Sequence, residues 1–249
     1  NKFKQENVSG VILDLRGNGG GSLVEAIRLT GLFIKEGPIV QAREFDGSRK
    51  GHNDPDPSVL YEGPMIVLTS RFSASASEIL AGALQDYGRA LIVGDSSTHG
   101  KGTVQTVSYL SQLLQSTDPD PDKFGAVKFT IRKFYRPTGV STQLKGVLPD
   151  IVLPSRLNYA KDIGESALEN PLSDKDDHPL SGLRFERLDL VQPYLSELLR
   201  RSTERVATNQ DFVYVREDIE EYRKYLADKS ISLNEKQRLQ EQEREEARQ

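Results

Sequence analysis

Short apolar runs separated by turn residues set the rhythm of the first 150 or so positions. Val11-Ile-Leu-Asp-Leu-Arg16, Gly63-Pro-Met-Ile-Val-Leu-Thr69 and Ala90-Leu-Ile-Val-Gly94 read as short buried strands bounded by turn signals. Between them, Leu23, Ala26, Ile27, Thr30 and Leu32 recur at helical spacing, and Ile79, Leu80, Ala83 and Leu84 do so again. Strands alternating with helices predict an α/β core on a parallel sheet. Ala126 to Tyr135 alternates apolar and polar residues, which predicts an exposed strand running into a turn at Pro137-Thr-Gly139. Gly47 to Pro57 and Ser116 to Asp122 are polar and rich in Pro and Asp, and are expected to be surface loops.

After Pro154 the pattern changes. Asp162 to His178 is acidic and loop-like, and Leu190 to Gln249 is helical and highly charged. The boundary divides the chain into a core over 1–155 and a mainly helical unit over 156–249. The last helix has few apolar positions and is expected to be exposed to solvent. No repeat of solenoid length is evident.

Two segments of this pattern can carry chemistry. In Thr69-Ser-Arg-Phe-Ser-Ala-Ser-Ala-Ser-Glu-Ile79 a cluster of serines enters a helix that begins near Ser75 to Ser77. Serines there can simply cap the helix. A serine at that point also faces the free N–H groups and positive dipole end of the first turn, which stabilise a developing oxyanion. Downstream, Lys101 stands between two glycines in His99-Gly-Lys-Gly102, where packing gives no reason for a lysine. A lysine kept neutral by burial can take the proton of a serine hydroxyl and make it a nucleophile.

Gly17-Asn-Gly-Gly-Gly21 joins the first strand to the first helix. Such a turn lets the backbone approach a ligand, and its N–H groups could supply a second oxyanion donor. It equally suits a flexible turn; a nucleotide phosphate loop is disfavoured because the Lys-Ser/Thr ending is missing. Glu78 lies in a helix first turn, where the dipole favours a carboxylate with or without an active site. Asp86 precedes Tyr87-Gly88 and fits a helix end as well as a functional role.

Composition narrows the field. The formal net charge of −4 gives no case for a nucleic-acid partner. The chain has no Cys, so thiolate and disulfide chemistry are excluded, and its three histidines, His52, His99 and His178, are scattered without zinc-site spacing. No metal or cofactor is expected. No run reaches the length of a membrane-spanning helix, and the first residues carry no secretory pattern. Asn1 lies barely one loop before the first strand, so the chain is expected to begin inside a longer protein.

Six blocks in order then resemble one family: Asp14-Leu-Arg-Gly-Asn-Gly-Gly-Gly21, Ser73-Ala-Ser-Ala-Ser-Glu-Ile79, Gln85-Asp-Tyr-Gly-Arg-Ala90, Gly100-Lys-Gly-Thr-Val-Gln105, Lys133-Phe-Tyr-Arg136, and Ser141-Thr-Gln-Leu-Lys-Gly-Val147 with Pro149-Asp-Ile151. The chain resembles the catalytic region of the C-terminal processing peptidases, of the tail-specific type within the S41 serine peptidases. The resemblance extends into the second unit, including Ile163-Gly-Glu165. It implies a crotonase/Clp protease-like βα superhelix core with a C-terminal mainly helical domain. It also implies Ser75 as nucleophile, Lys101 as base, Asp86 in the catalytic set, and Glu78 and Thr98 in support. Ala76 N–H with a backbone N–H of Gly20 or Gly21 would form the oxyanion hole.

The same resemblance implies protein substrates with unstructured apolar C-termini, a PDZ domain upstream, a possible adaptor lipoprotein, and a place in the bacterial periplasm or cell envelope. Two other readings stand beside it: His99 as the base of a Ser-His peptidase, and a catalytically silent scaffold that binds tails. The segment Asp95-Ser-Ser-Thr-His-Gly100 is one residue longer than the family's turn. A bulge at Ser96-Ser97 is expected to absorb the extra residue and return Lys101 to register, because loops take insertions more cheaply than catalytic contacts take displacement.

Overall fold

The computed structural model of the chain describes residues 5–6, 8–44, 46–118, 120–173, 182–228 and 232–246. Asn1, the end of the acidic stretch beyond residue 173, and residues 247–249 lie outside them.

The three apolar runs become parallel neighbours. β1 (Val11–Asp14) pairs with β4 (Met65–Thr69), β4 with β5 (Leu91–Gly94), and β5 with β8 (Ile151–Val152), giving the sheet order β1-β4-β5-β8. The expected α/β core with a parallel sheet is present, followed by a helical C-terminal region. A second sheet lies beyond the sequence reading: β3 (Arg49–His52), β2 (Val40–Arg43), β7 (Ala126–Tyr135) and β6 (Thr103–Tyr109) form an antiparallel sheet in that order. Two expectations need correction here. Gly47 to Pro57 is not loop throughout, because β3 runs through it as an exposed edge ordered by β2. The exposed strand β7 is exposed only in its first half, and it ends in the buried Phe134 and Tyr135.

Helix α1 (Leu23–Gly31) starts at Ser22, whose hydroxyl accepts the Glu25 N–H, and turns Ala26, Ile27 and Thr30 inward. Helix α2 (Ala76–Asp86) is the centre of the fold, with ten of its eleven residues buried. That burial has two sides. Leu80, Ala81 and Leu84 pack with Met65, Val67 and Ile92 of the parallel sheet, whereas Ile79 and Ala83 pack with Ile39, Val40 and Phe134 on the antiparallel side. The helix that carries the serine cluster at its start is therefore the filling between two sheets.

The C-terminal region closes over the core in stages. Short irregular segments run back across it, with Phe185 packed on Tyr87 at 4.5 Å between ring centroids and Leu188 N–H bonded to Tyr87 O. Helix formation begins only later, after a one-turn α3 (Leu110–Leu113) in the core: α4 (Leu195–Thr208), α5 (Gln210–Ala227) and α6 (Glu235–Glu246). Leu195 and Leu198 cover the outer face of the parallel sheet at Leu91, Val93 and Ile151.

Candidate active site

Ser75 is the residue immediately before α2 and has φ 55° and ψ −113°. A side-chain-bearing residue at positive φ stores about 1–3 kcal/mol of strain, so its surroundings must hold it there. They do so on every side. Ser75 N–H donates to Glu78 Oε2 at 2.7 Å, and Ser75 C=O accepts from Glu78 and Ile79 N–H at 2.9 and 3.0 Å. The preceding loop is stitched to the glycine turn by Ala74 N–H and Ser77 Oγ, both bonded to Asn18 O at 3.0 Å, and by Ser73 Oγ, which donates to Leu15 O at 2.8 Å.

Gly20 completes the enclosure. It has φ +98°, and a Cβ there would lie 2.6 Å from Ala74 O, 2.9 Å from Ala76 N and 3.0 Å from Ser75 Cβ. Only glycine lets the two loops approach this closely. Ala76 N–H, at the first turn of α2, thus opens onto the glycine turn beside the serine. The N–H of Gly20 itself is taken by Asn18 Oδ1 at 2.9 Å.

Glu78 joins the serine to the lysine segment. It is fully buried, and its two oxygens take four donors: Ser75 N–H and Lys101 N–H (3.0 Å) at Oε2, Thr98 Oγ1 and Gly100 N–H (2.7 Å) at Oε1. Burial pushes its carboxyl up to about 7, against the opposing pull of those donors. Thr98 Oγ1 also accepts Val147 N–H at 2.7 Å, which leaves its own proton to donate to Glu78. The longer segment before it bends over Asp95–Ser97, where Ser96 N–H donates to Asn158 Oδ1 at 2.7 Å; the chain rejoins the core at Thr98 N–H and Val147 O.

The Lys101 side chain is half-buried, and its amine donates to Gln105 Oε1 at 2.9 Å. Gln105 is a functional candidate that the sequence reading passed over. Its position depends on an irregularity between Val104 and Gln105, where β7 carries one extra residue opposite β6. Bulges of this kind re-aim side chains beside active sites.

The structure brings Ser75, Ala76, Gly20, Glu78, Thr98 and the backbone of Lys101 together, with the Lys101 amine turned to Gln105. It does not bring Asp86 to them. Asp86 ends α2, about 16 Å along the helix axis from Ser75 at 1.5 Å per residue, where its carboxylate pairs with Arg136 and takes Thr138 Oγ1 (2.8 Å) and Thr138 N–H (3.2 Å). The residue expected in the catalytic set thus lies away from Ser75 and clamps the turn after β7. His99 also points elsewhere: its Nδ1 faces Glu165 Oε2 at 3.8 Å, and burial lowers its pKa.

Residues 1–153 match the family model described as peptidase family S41, and residues 159–249 match that of the C-terminal domain of tail specific protease. A tail-specific protease of Haemophilus influenzae is 38% identical over 247 residues, which is 99% of this chain and 35% of the relative. A carboxy-terminal-processing protease of Bartonella bacilliformis is 38% identical over 189 residues, 71% of this chain and 39% of the relative. Among solved structures, the photosystem II D1 C-terminal processing protease aligns with a TM-score of 0.52 at 34% identity, over 61% of this chain and 36% of that one. The chain thus spans well under half the length of the relatives it matches.

Proposed function

The chain belongs to peptidase family S41, and we propose that it forms the catalytic core of a serine endopeptidase that uses Ser75 as nucleophile and Lys101 as base. One observation carries this reading: a single buried carboxylate, Glu78, accepts the backbone N–H of both Ser75 and Lys101 and so sets the distance between their segments. The strained backbone of Ser75 supports it further, since strain held by this many contacts is characteristic of functional positions.

In the proposed reaction, the Lys101 amine takes the Ser75 Oγ proton as the oxygen adds to the peptide carbonyl. The oxyanion of the tetrahedral intermediate is held by Ala76 N–H and by a second donor from the glycine turn. With Gly20 N–H committed to Asn18, that donor is Gly21 N–H. Lys101 then gives its proton to the leaving amine, which departs and leaves an acyl-enzyme. A water deprotonated by Lys101 adds to the ester carbonyl, and expulsion of Ser75 Oγ, reprotonated by Lys101, restores the starting state. Gln105 Oε1 holds the lysine amine and limits the directions in which it can turn.

The names of the relatives, tail-specific and carboxy-terminal-processing proteases, support substrates processed at or recognised through their C-termini; that these tails are unstructured and apolar is part of the proposal. A tail-capturing PDZ domain and an adaptor lipoprotein would complete the system in the whole protein. Relatives occur in bacteria and in chloroplasts, and the bacterial ones favour the periplasm or cell envelope for this protein. No described helix is long and apolar enough to cross a membrane.

The test is turnover of an unfolded substrate with an apolar C-terminus by the full-length protein and its Ser75→Ala, Lys101→Ala and Lys101→Arg variants. All three are expected to be inactive with unchanged folds, because arginine stays protonated and cannot serve as base. Near-parental turnover by Lys101→Ala would move the base elsewhere.

A further inference from the structure

The backbone around Lys101 is held from two directions. Glu78 takes the N–H groups of Gly100 and Lys101, but the flanking residues are held by another segment. Gly102 N–H donates to Gln143 Oε1 at 2.8 Å, and His99 O accepts Glu165 N–H at 2.8 Å. Gln143 is fully buried, and its Nε2 donates to Glu165 Oε1 at 3.3 Å and to Leu172 O at 3.0 Å. Gly164, at φ +107°, brings this strip so close that a Cβ would lie 3.1 Å from His99 O and 3.2 Å from Arg71 Nη2. Arg71 Nη2 in turn donates to Ile163 O.

A buried glutamine offers an oxygen and an amino group at nearly equivalent positions, and its partners decide which faces where. Glu165 and the Leu172 carbonyl are both acceptors. They can be satisfied only by Nε2, so Oε1 is turned to the Gly102 N–H. Glu165 is itself buried, 7% exposed, and lies within the residues that match the C-terminal domain rather than the peptidase core.

We propose that Glu165 is a positioning residue for Lys101: together with Leu172 O it holds the Gln143 amide and, through it, the backbone of Gly102 beside the base. The strip around Glu165 is then a working wall of the active site contributed by the C-terminal region. This inference rests on Lys101 being the base.

The experiment uses the full-length protein, with kcat expressed per active site titrated by a serine-reactive probe so that misfolded molecules are not counted. Glu165→Leu, which cannot accept from Gln143, is expected to lower kcat about tenfold or more with KM little changed, as small displacements of a catalytic group do. Glu165→Gln can turn its own oxygen to Gln143 and is expected to stay near parental. Gln143→Glu cannot donate to Glu165 and should lose kcat, whereas the double variant with Glu165→Gln restores a donor between the two positions and should regain part of it.

Parental kcat in Glu165→Leu, or an equal fall in Glu165→Gln, would overturn the proposal. If Glu165→Leu does not fold, the second pair decides, and equal kcat for Gln143→Glu and the double variant would overturn it. Failure of the base reading is seen separately: Lys101→Ala would then remain active, whatever the Glu165 variants do.

Discussion

Replacing Glu78 by glutamine keeps the volume of a fully buried side chain and changes only its two head atoms. Four donors converge there, and an amide has one acceptor oxygen. If that oxygen faces Ser75 and Lys101, the amino group meets Gly100 N–H, which cannot turn away, while Thr98 Oγ1 can rotate to accept. One buried N–H is left opposed, which costs about 1–3 kcal/mol. The pH dependence is more telling than that cost. The folded Glu78 carboxyl sits at about 7, raised from an ordinary value of 4.5. Across that window the folded protein keeps a proton that the unfolded chain has lost, so the contribution is fully present below the lower value and fades as pH rises through the upper. At 1.36 kcal/mol per pKa unit it amounts to about 3 kcal/mol.

Activity should run the other way, rising as Glu78 ionises and takes all four donors. Glutamine does not titrate. Thermal unfolding of the parent and Glu78→Gln from pH 5 to pH 8 should therefore show the gap in Tm narrowing by roughly 6–12 °C, at 2–4 °C per kcal/mol for a domain of this size. Over the same range the acid limb of kcat/KM should lose the component that belongs to Glu78 and become shallower in the variant. A gap independent of pH, or an acid limb as steep in Glu78→Gln as in the parent, would refute the assignment.

Two further outcomes follow from the geometry. Gly20→Ala places a methyl group against Ala74 O, Ala76 N and Ser75 Cβ, and should lower kcat by about a hundredfold or more, on the scale of losing one oxyanion donor; parental turnover would show that the glycine turn takes no part. Asp86→Ala takes the ion-pair partner from Arg136 but leaves its bonds to Gly82 O and Gln85 Oε1, and should cost about 1–3 kcal/mol in thermal stability, while kcat per titrated serine stays close to parental. A large fall in that normalised kcat would return Asp86 to the chemistry.

The parts of the site that were legible in the sequence are the local ones. A serine at a helix start, a glutamate three residues on and a lysine between glycines each announce themselves over a few positions, and β1, β4 and β5 are continuous apolar runs. The antiparallel sheet was harder to read, because the Arg-Lys-Gly-His of β3 has no apolar pattern and exists as a strand only through its pairing with β2. Asp86 entered the catalytic set through the resemblance alone, and the length of α2 places it at the far end of the helix from Ser75. Gln105 was within the quoted motif, yet its aim depends on an irregular pairing with β7. Glu165 stood within the quoted Ile163-Gly-Glu165 segment, yet its place beside His99 and Gln143 comes from the return of a distant segment.

The position of α2 between the two sheets makes the catalytic separation a matter of layer thickness. Ser75 follows β4 of one sheet, and Lys101 leads into β6 of the other. What separates those layers, away from the site, is the width of a helix whose inward surfaces include Ala81 and Ala83, both completely buried. Close-packed interiors transmit such dimensions instead of absorbing them. The gauge of the proposed active site is thus set in part by methyl groups two turns from Ser75, and its tolerance to mutation should be read along the length of the helix as well as at its tip.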